Sequence, residues 1–169
     1  MLRHDQGARA ISIYTRLIYT LDITSAIGKT VRKDAAKLIL LDPNSNTADL
    51  QRAYAWVEEL CTTFKDDREG LELLGYCKEH GLGTSTDKKE AIRLYQECFN
   101  NSQDEDVQRS CLYSLVNLYM EMKDYESAFS CLQKHYSFFT LNGCEEAVNN
   151  LKQTRRMKYF LGKLLSFFL

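Results

Sequence analysis

The sequence predicts an all-α chain: a right-handed α-solenoid of antiparallel helix hairpins closed by a C-terminal capping helix. Three observations lead there. An alanine recurs in one kind of context: Arg9-Ala10 before Tyr14, Arg52-Ala53 before Trp56, Glu90-Ala91 before Leu94-Tyr95, and Ser127-Ala128 before Phe129 and Leu132. The intervals are 43, 38 and 37 residues, the size of one helix pair with its loops. Proline occurs once, at Pro43, and the eight glycines fall mostly at turns. No run alternates polar and apolar residues as a half-buried strand would. A small side chain at a fixed place in each second helix lets the preceding helix approach closely, and the aromatic one turn later fills the gap beside it.

The elements follow in order. Ala10, Ile11, Tyr14, Leu17, Ile18 and Leu21 lie on one helical face. A second stripe, Ile27, Val31, Ala35, Leu38 and Leu41, runs to Asp42-Pro43, where proline removes a donor and biases its predecessor away from helix. After a turn over Pro43 to Asn46, Thr47 is expected to cap a helix whose face is Leu50, Ala53, Tyr54, Val57, Leu60, Cys61 and Phe64. Asp66 with Glu69 resembles a capping box and opens a helix carrying Leu71, Leu74 and Cys77, which stops at His80-Gly81-Leu82-Gly83. Asp87 to Phe99 places Ala91, Tyr95, Cys98 and Phe99 together, and Asn100-Asn101-Ser102 breaks the pattern. Ser102 with Glu105 is the next cap signal, before Cys111, Leu112, Leu115, Leu118, Tyr119 and Met122. Only Lys123-Asp124 then separates a partner helix with Tyr125, Ala128, Leu132 and Tyr136, so the two must run antiparallel. A last helix opens near Glu145 after Asn142-Gly143 and carries Ala147, Val148, Leu151, Leu161, Leu164, Leu165 and Phe168.

A length of 169 residues suits a single domain over 1–169. Its parts are read as diverged helices over 8–41, repeat regions over 47–99 and 108–138, and a closing helix over 144–168. The net charge is −1, so no global basic field argues for nucleic acid. The charge is uneven along the chain. From Ala147 onward Lys152, Arg155, Arg156, Lys158 and Lys163 meet no acid, leaving 17 basic and 23 acidic residues before them. No run reaches the roughly 18 to 20 apolar residues that a membrane-spanning helix needs. Six cysteines, Cys61, Cys77, Cys98, Cys111, Cys131 and Cys144, follow no secretory leader, which points to free thiols and a reducing, cytoplasmic setting.

The run Leu71-Glu72-Leu73-Leu74-Gly75-Tyr76-Cys77-Lys78-Glu79-His80-Gly81-Leu82-Gly83-Thr84, with Asp87 and Glu90-Ala91-Ile92-Arg93-Leu94-Tyr95, resembles the Sel-one-like repeat, a relative of the tetratricopeptide repeat. Leu74, Gly75, Gly81, Gly83, Asp87, Ala91 and Tyr95 fall on that family's Leu-Gly pair, Gly-x-Gly turn, aspartate, alanine and aromatic places. Lys78 stands where the family usually shows an aromatic, and Glu90 where it shows lysine. Residues Leu112 to Leu132 look more like the plain tetratricopeptide form, with Leu112, Leu115, Tyr119, Ala128 and Leu132 matching. Thr47 to Leu60 is similar to another second helix, and Ala10 to Leu17 to a more diverged one. The resemblance covers about Thr47 to Gln133. It implies a protein-binding scaffold with no catalytic residues of its own. In some relatives cysteines bridge successive repeats, but Cys98–Cys111 and Cys131–Cys144 do not occupy equivalent repeat positions here.

Catalytic and metal chemistry find little footing. Gly28-Lys29-Thr30 suggests a phosphate loop, yet Ile23 stands where that motif requires glycine, and a helix precedes it where a strand is needed. Gly81 and Gly83 are explained by a helix stop, where glycine takes a positive φ. His4, His80 and His135 have no partners at zinc-like spacing, and no nucleophile, base and orienting group assemble from spacing. The expectation is therefore no enzyme, no cofactor and no metal. The partner is expected to be another protein or peptide, gripped on the concave face by Glu72, Tyr76 and Glu79 from one hairpin and Tyr113, Asn117 and Met120 from the next. Rings among carboxylates suit a peptide with basic and apolar side chains. The apolar C-terminal helix either buries as a cap or offers Arg155, Arg156, Phe160, Leu164 and Phe168 to a membrane surface, a partner groove or a second copy. A third reading makes the chain a regulatory domain beside an enzyme.

Overall fold

A computed structural model describes residues 2–135, with side chains from 9 onward except Gln133. Among the described residues the chain is all-helical, with seven helices: α1 (Leu2–Ile18), α2 (Ala26–Leu40), α3 (Thr47–Thr63), α4 (Arg68–His80), α5 (Lys88–Asn101), α6 (Glu105–Glu121) and α7 (Tyr125–Lys134). It divides into two compact units, Met1–Leu94 and Tyr95–Leu169, with the division inside α5.

In the first unit α1 packs on α2, α2 on α3, and α3 on α4. Ile18, Val31, Ala35, Ala36, Ile39, Leu40, Ala53, Trp56, Val57 and Cys77 form one buried cluster. Ala53 is fully buried between its neighbours, where a larger side chain would hold the helices apart. α2 corrects the expected stripe. Ile27 and Leu41 are 66% and 68% exposed and Leu38 is exposed too, while Arg32, Ala36, Ile39 and Leu40 are buried beside Val31 and Ala35. The helix is rotated about one residue from the apolar stripe because Arg32 turns inward. Its Nη1 donates to Leu21 O at 3.3 Å and Gly28 O at 3.2 Å, its Nη2 to Ile18 O and Leu21 O at 3.3 Å, and its Nε lies 3.3 Å from Glu59 Oε2. A guanidinium carries five donors in a planar fork, so it can satisfy the carbonyls that the end of α1 leaves without amide partners.

The caps also differ from expectation by one or two residues. Asn46, not Thr47, caps α3, accepting from Asp49 N at 3.0 Å. Asp67, not Asp66, caps α4, accepting from Gly70 N at 3.2 Å. Asp104, not Ser102, caps α6, accepting from Asp106 N and Val107 N, while the Ser102 hydroxyl accepts from Asp104 N just upstream. In each case a neighbouring side-chain oxygen, a hydroxyl at Thr47 and Ser102 and a carboxylate at Asp66, is within one or two residues of the cap, and the backbone path decides which one reaches the first-turn amides. The helix stop at Gly81 is as expected, with φ +69.

In the second unit Tyr95, Cys98, Cys111, Leu112, Leu115, Val116, Leu118 and Ala128 are buried. α6 and α7 pack together across Met122 to Asp124, where Lys123 takes φ +60 in place of the glycine such a stop favours. Gln108 Nε2 donates to Ser102 O at 2.8 Å and fastens the turn before α6. Tyr136 and the expected closing helix lie outside the described residues.

Candidate functional surfaces

α4 presents three of the residues the sequence singles out. Glu72 and Tyr76 are half-buried, whereas the Glu79 side chain is only 8% exposed. The Tyr76 and His80 rings meet edge to face at 4.5 Å, and Glu79 Oε2 lies 3.9 Å from His80 Nε2. The open part of this face is therefore Glu72 and Tyr76, and Glu79 is set back beneath it. Lys78 has a role of its own. Its Nζ sits 5.0 Å above the Tyr54 ring and donates to Thr84 Oγ1 at 3.3 Å, while Asp87 N donates to Lys78 O at 2.8 Å. The residue that departs from the repeat pattern thus ties α3, α4 and the loop after α4 together, through a cation over an aromatic face.

Gly83 explains why that loop needs its second glycine. At φ +72 its backbone lies against α3, and an added Cβ would stand 2.2 Å from Leu50 O and 2.8 Å from Tyr54 Cβ. Gly81 is freer, since its Cβ would meet chiefly Thr86 Oγ1 at 2.7 Å.

A charged ladder that periodicity did not bring out joins α2 to the start of α4. Lys29, Lys33 and Lys37 stand one turn apart on α2. Lys29 Nζ is 3.1 Å from Asp67 Oδ2 and 4.6 Å from the centre of the Phe64 ring. Lys33 Nζ lies 3.4 Å from Asp67 Oδ1 and 2.6 Å from Glu69 Oε2, and Lys37 pairs with Glu69 as well. Burial pushes the Glu69 carboxyl up, but the hydrogen bonds and charges of Lys33 and Lys37 outweigh it and hold Glu69 below its ordinary value. Burial likewise pulls Lys33 down, and Glu69 with Asp67 more than reverses it. A lysine spacing of four was the available signal, with acids 30 to 40 residues downstream that no local pattern connects to it. The ladder also settles Gly28-Lys29-Thr30. Lys29 is engaged by Asp67, Ser25 caps α2, and Gly28 is small because a Cβ there would lie 1.9 Å from Asp22 O.

In the second unit, α6 carries Tyr113, which is exposed, and Asn117 and Met120, which are half-buried. A cavity of about 260 Å³ opens between the C-terminal part of α5, α6 and α7. Leu112, Leu115 and Phe99 give it apolar walls, with the His135 ring edge-on to Phe99 at 4.5 Å. Gln96 Nε2 donates to the Tyr119 hydroxyl at 3.0 Å on its rim. Burial, with Cys131 and Asp124 nearby, raises the Tyr119 phenol above its ordinary value despite Gln96. Burial pushes the Cys131 thiol up to about 11, and burial together with Lys134 lowers His135. Periodicity assigned Phe99, Leu112, Leu115 and Tyr119 to core faces and could not show that three helix surfaces leave a gap.

Arg155, Arg156, Phe160, Leu164 and Phe168 lie outside the described residues. Among the described residues no three His, Cys, Asp or Glu side chains are placed to hold a metal ion, and no helix is long and apolar enough to cross a membrane. Among the described residues Cys61, Cys77, Cys98, Cys111 and Cys131 form no disulfide with one another. Comparison with protein-family models, curated proteins and solved structures found no match for the chain.

Proposed function

We propose that this chain is a non-catalytic interaction scaffold, built as a solenoid of tetratricopeptide and Sel-one-like hairpins, that holds a partner peptide or protein on the faces of its first helices. The observation that carries the reading is the fate of the repeated alanine. Ala53, Ala91 and Ala128 are each fully buried, at the spacing of one helix pair, as close helix packing in an array of hairpins demands, while Ala10 in α1 is half-buried. The Gly81-x-Gly83 turn adds support, because its second glycine is needed for close approach to α3. Glu72 and Tyr76 on α4, and Tyr113, Asn117 and Met120 on α6, supply the contact groups, and the setting is a reducing, cytoplasmic one. Rigid rings bury area at low entropy cost, and flanking acids set register and on-rate.

The test is partner capture from lysate under reducing conditions, comparing the native chain with Glu72→Lys, Tyr76→Ala and Tyr113→Ala, with helical content checked by circular dichroism. Loss of one and the same partner in the folded variants supports the reading. Unchanged capture by all three, or capture lost only on removal of the residues from Lys158 onward, moves the function away from these faces.

A further inference from the structure

We propose that the outer side of the α1–α2 pair is a self-association face, on which a second copy of this chain docks with two-fold symmetry. The proposal is independent of the scaffold reading, since it uses neither α4 nor α6 as a contact surface. It begins with five apolar side chains that the fold leaves in water: Ile13 and Leu17 on α1, and Ile27, Leu38 and Leu41 on α2. Helical geometry places them on one side of the pair. Successive residues turn by about 100°, so Ile27, Leu38 and Leu41 fall within about 60° of one another. Lys29, Lys33 and Lys37 point from α2 to Asp67 and Glu69 at the start of α4, and Arg32 points between the end of α1 and Glu59 of α3. The order around α2 is therefore apolar stripe, α1, α3, α4, which sets the stripe beside α1 and away from α3. On α1, Ile11, Ser12, Thr15 and Arg16 border a hollow with Asp49 and Arg52 of α3. Ile13 and Leu17 lie about 150° around the helix from the mean direction of those four. Both apolar strips thus look away from α3, side by side.

Size and charge name the occupant. Each of the five exposes on the order of 100 Å², so together they present about 500 Å², toward the upper end of the roughly 300–600 Å² that a monomer's largest apolar patch reaches. A stable interface buries about 800 Å² per partner, of which about 60% is apolar, so this patch matches the apolar share of one half of such an interface. A two-fold contact sets one patch against itself, and its charges must then complement themselves. The exposed Arg16 stands one turn from Ile13, and the half-buried Asp34 stands between Ile27 and Leu38. Neither side chain has a hydrogen bond or ion pair among the described residues. A two-fold that lays α1 of each copy over α2 of the other gives each Arg16 an Asp34 to meet, twice over. A partner of one sign would leave one of the two charges unanswered, whereas a second copy answers both.

The experiment is analytical ultracentrifugation of the full chain under reducing conditions, from low micromolar to submillimolar concentration, where a monomer–dimer equilibrium is expected. Ile27→Glu combined with Leu41→Lys should weaken the dimer about tenfold or more. These changes put an acid at the start of α2 and a base at its end, as the helix dipole favours, so the fold is kept and circular dichroism checks it. Arg16→Asp and Asp34→Arg should each weaken association about two- to tenfold, and the chain carrying both should recover it. Recovery is a result that damage to the fold would not produce. A chain that stays monomeric at every concentration would overturn the proposal, as would undiminished association of the folded Ile27→Glu, Leu41→Lys chain or a charge-swapped chain no better than either single variant. Association that survives these changes but is lost on removing the residues from Lys158 onward would overturn it too, by moving self-contact to that segment. The capture experiment on Glu72, Tyr76 and Tyr113 stands or falls separately.

Discussion

Replacing Gly83 by alanine should damage the first unit more than the same change at Gly81, although both glycines sit in one turn at nearly equal positive φ. At Gly81 the added methyl faces the end of the Thr86 side chain, which can rotate away, so the cost is the left-handed backbone itself, about 1–2 kcal/mol. At Gly83 the same strain applies, and the methyl would also lie 2.2 Å from Leu50 O and 2.7 Å from Leu50 C. Those are backbone atoms of α3, a helix anchored through Ala53, Val57 and Leu60 in the core, so the turn must lift or α3 must shift. Overpacking of that kind adds about 1–3 kcal/mol, giving a total of about 2–5 kcal/mol for Gly83→Ala. Trp56, the one tryptophan of the chain, is buried in the same unit, so its fluorescence during urea unfolding reports the unit that carries the change. A Gly83→Ala cost no larger than that of Gly81→Ala would show that the turn does not press on Leu50, and the close packing argued from it would fall.

Arg32→Met should cost about 2 kcal/mol in the same assay, because Ile18 O at the end of α1 and Leu21 O in the turn after it lose a charged donor, and Arg32→Lys should recover little, since a single ammonium cannot span Ile18 O, Leu21 O and Gly28 O. Lys123→Gly should stabilise the second unit by about 1 kcal/mol, by relieving a positive φ that a lysine adopts at a cost, and thermal unfolding would show it. Glu69→Gln should cost about 0.5 kcal/mol at pH 7, given the partial exposure of the ladder. Its folded pKa lies below the ordinary 4.5, so the stability it adds is present above that value and is lost as the pH falls through the folded value, where variant and native chain should converge. Cys77, fully buried and with its thiol pushed by burial up to about 12, should resist iodoacetamide at pH 7.5 in the folded chain and react readily in urea, as peptide mapping would show.

Much of the helical pattern was legible because it depends on near neighbours in the chain. The apolar face of α3, the stop at Gly81 and the break before α6 follow from spacing and from local backbone preference. The caps were displaced to Asn46, Asp67 and Asp104 because several short polar side chains cluster at each start, and their choice depends on backbone geometry that composition does not encode. α2 was misread for a different reason. A pattern that scores arginine as polar cannot foresee that Arg32 is buried by the carbonyls of another helix. The same blindness applies to Glu79, which shares an α4 face with Glu72 and Tyr76 in the heptad sense but is far more enclosed.

The sequence by itself determined the helices and the repeated small residue, since both follow from interactions within four residues and from side-chain volume. Only the tertiary structure decided which of those faces are open and which polar groups meet. The lysine ladder onto Asp67 and Glu69, the Gly83 contact with Leu50, and the cavity bounded by Phe99, Leu112 and His135 each join residues far apart in the chain. Their positions depend on how helices rotate and settle against one another. That rotation is set by the summed packing of many side chains, a quantity no local window contains.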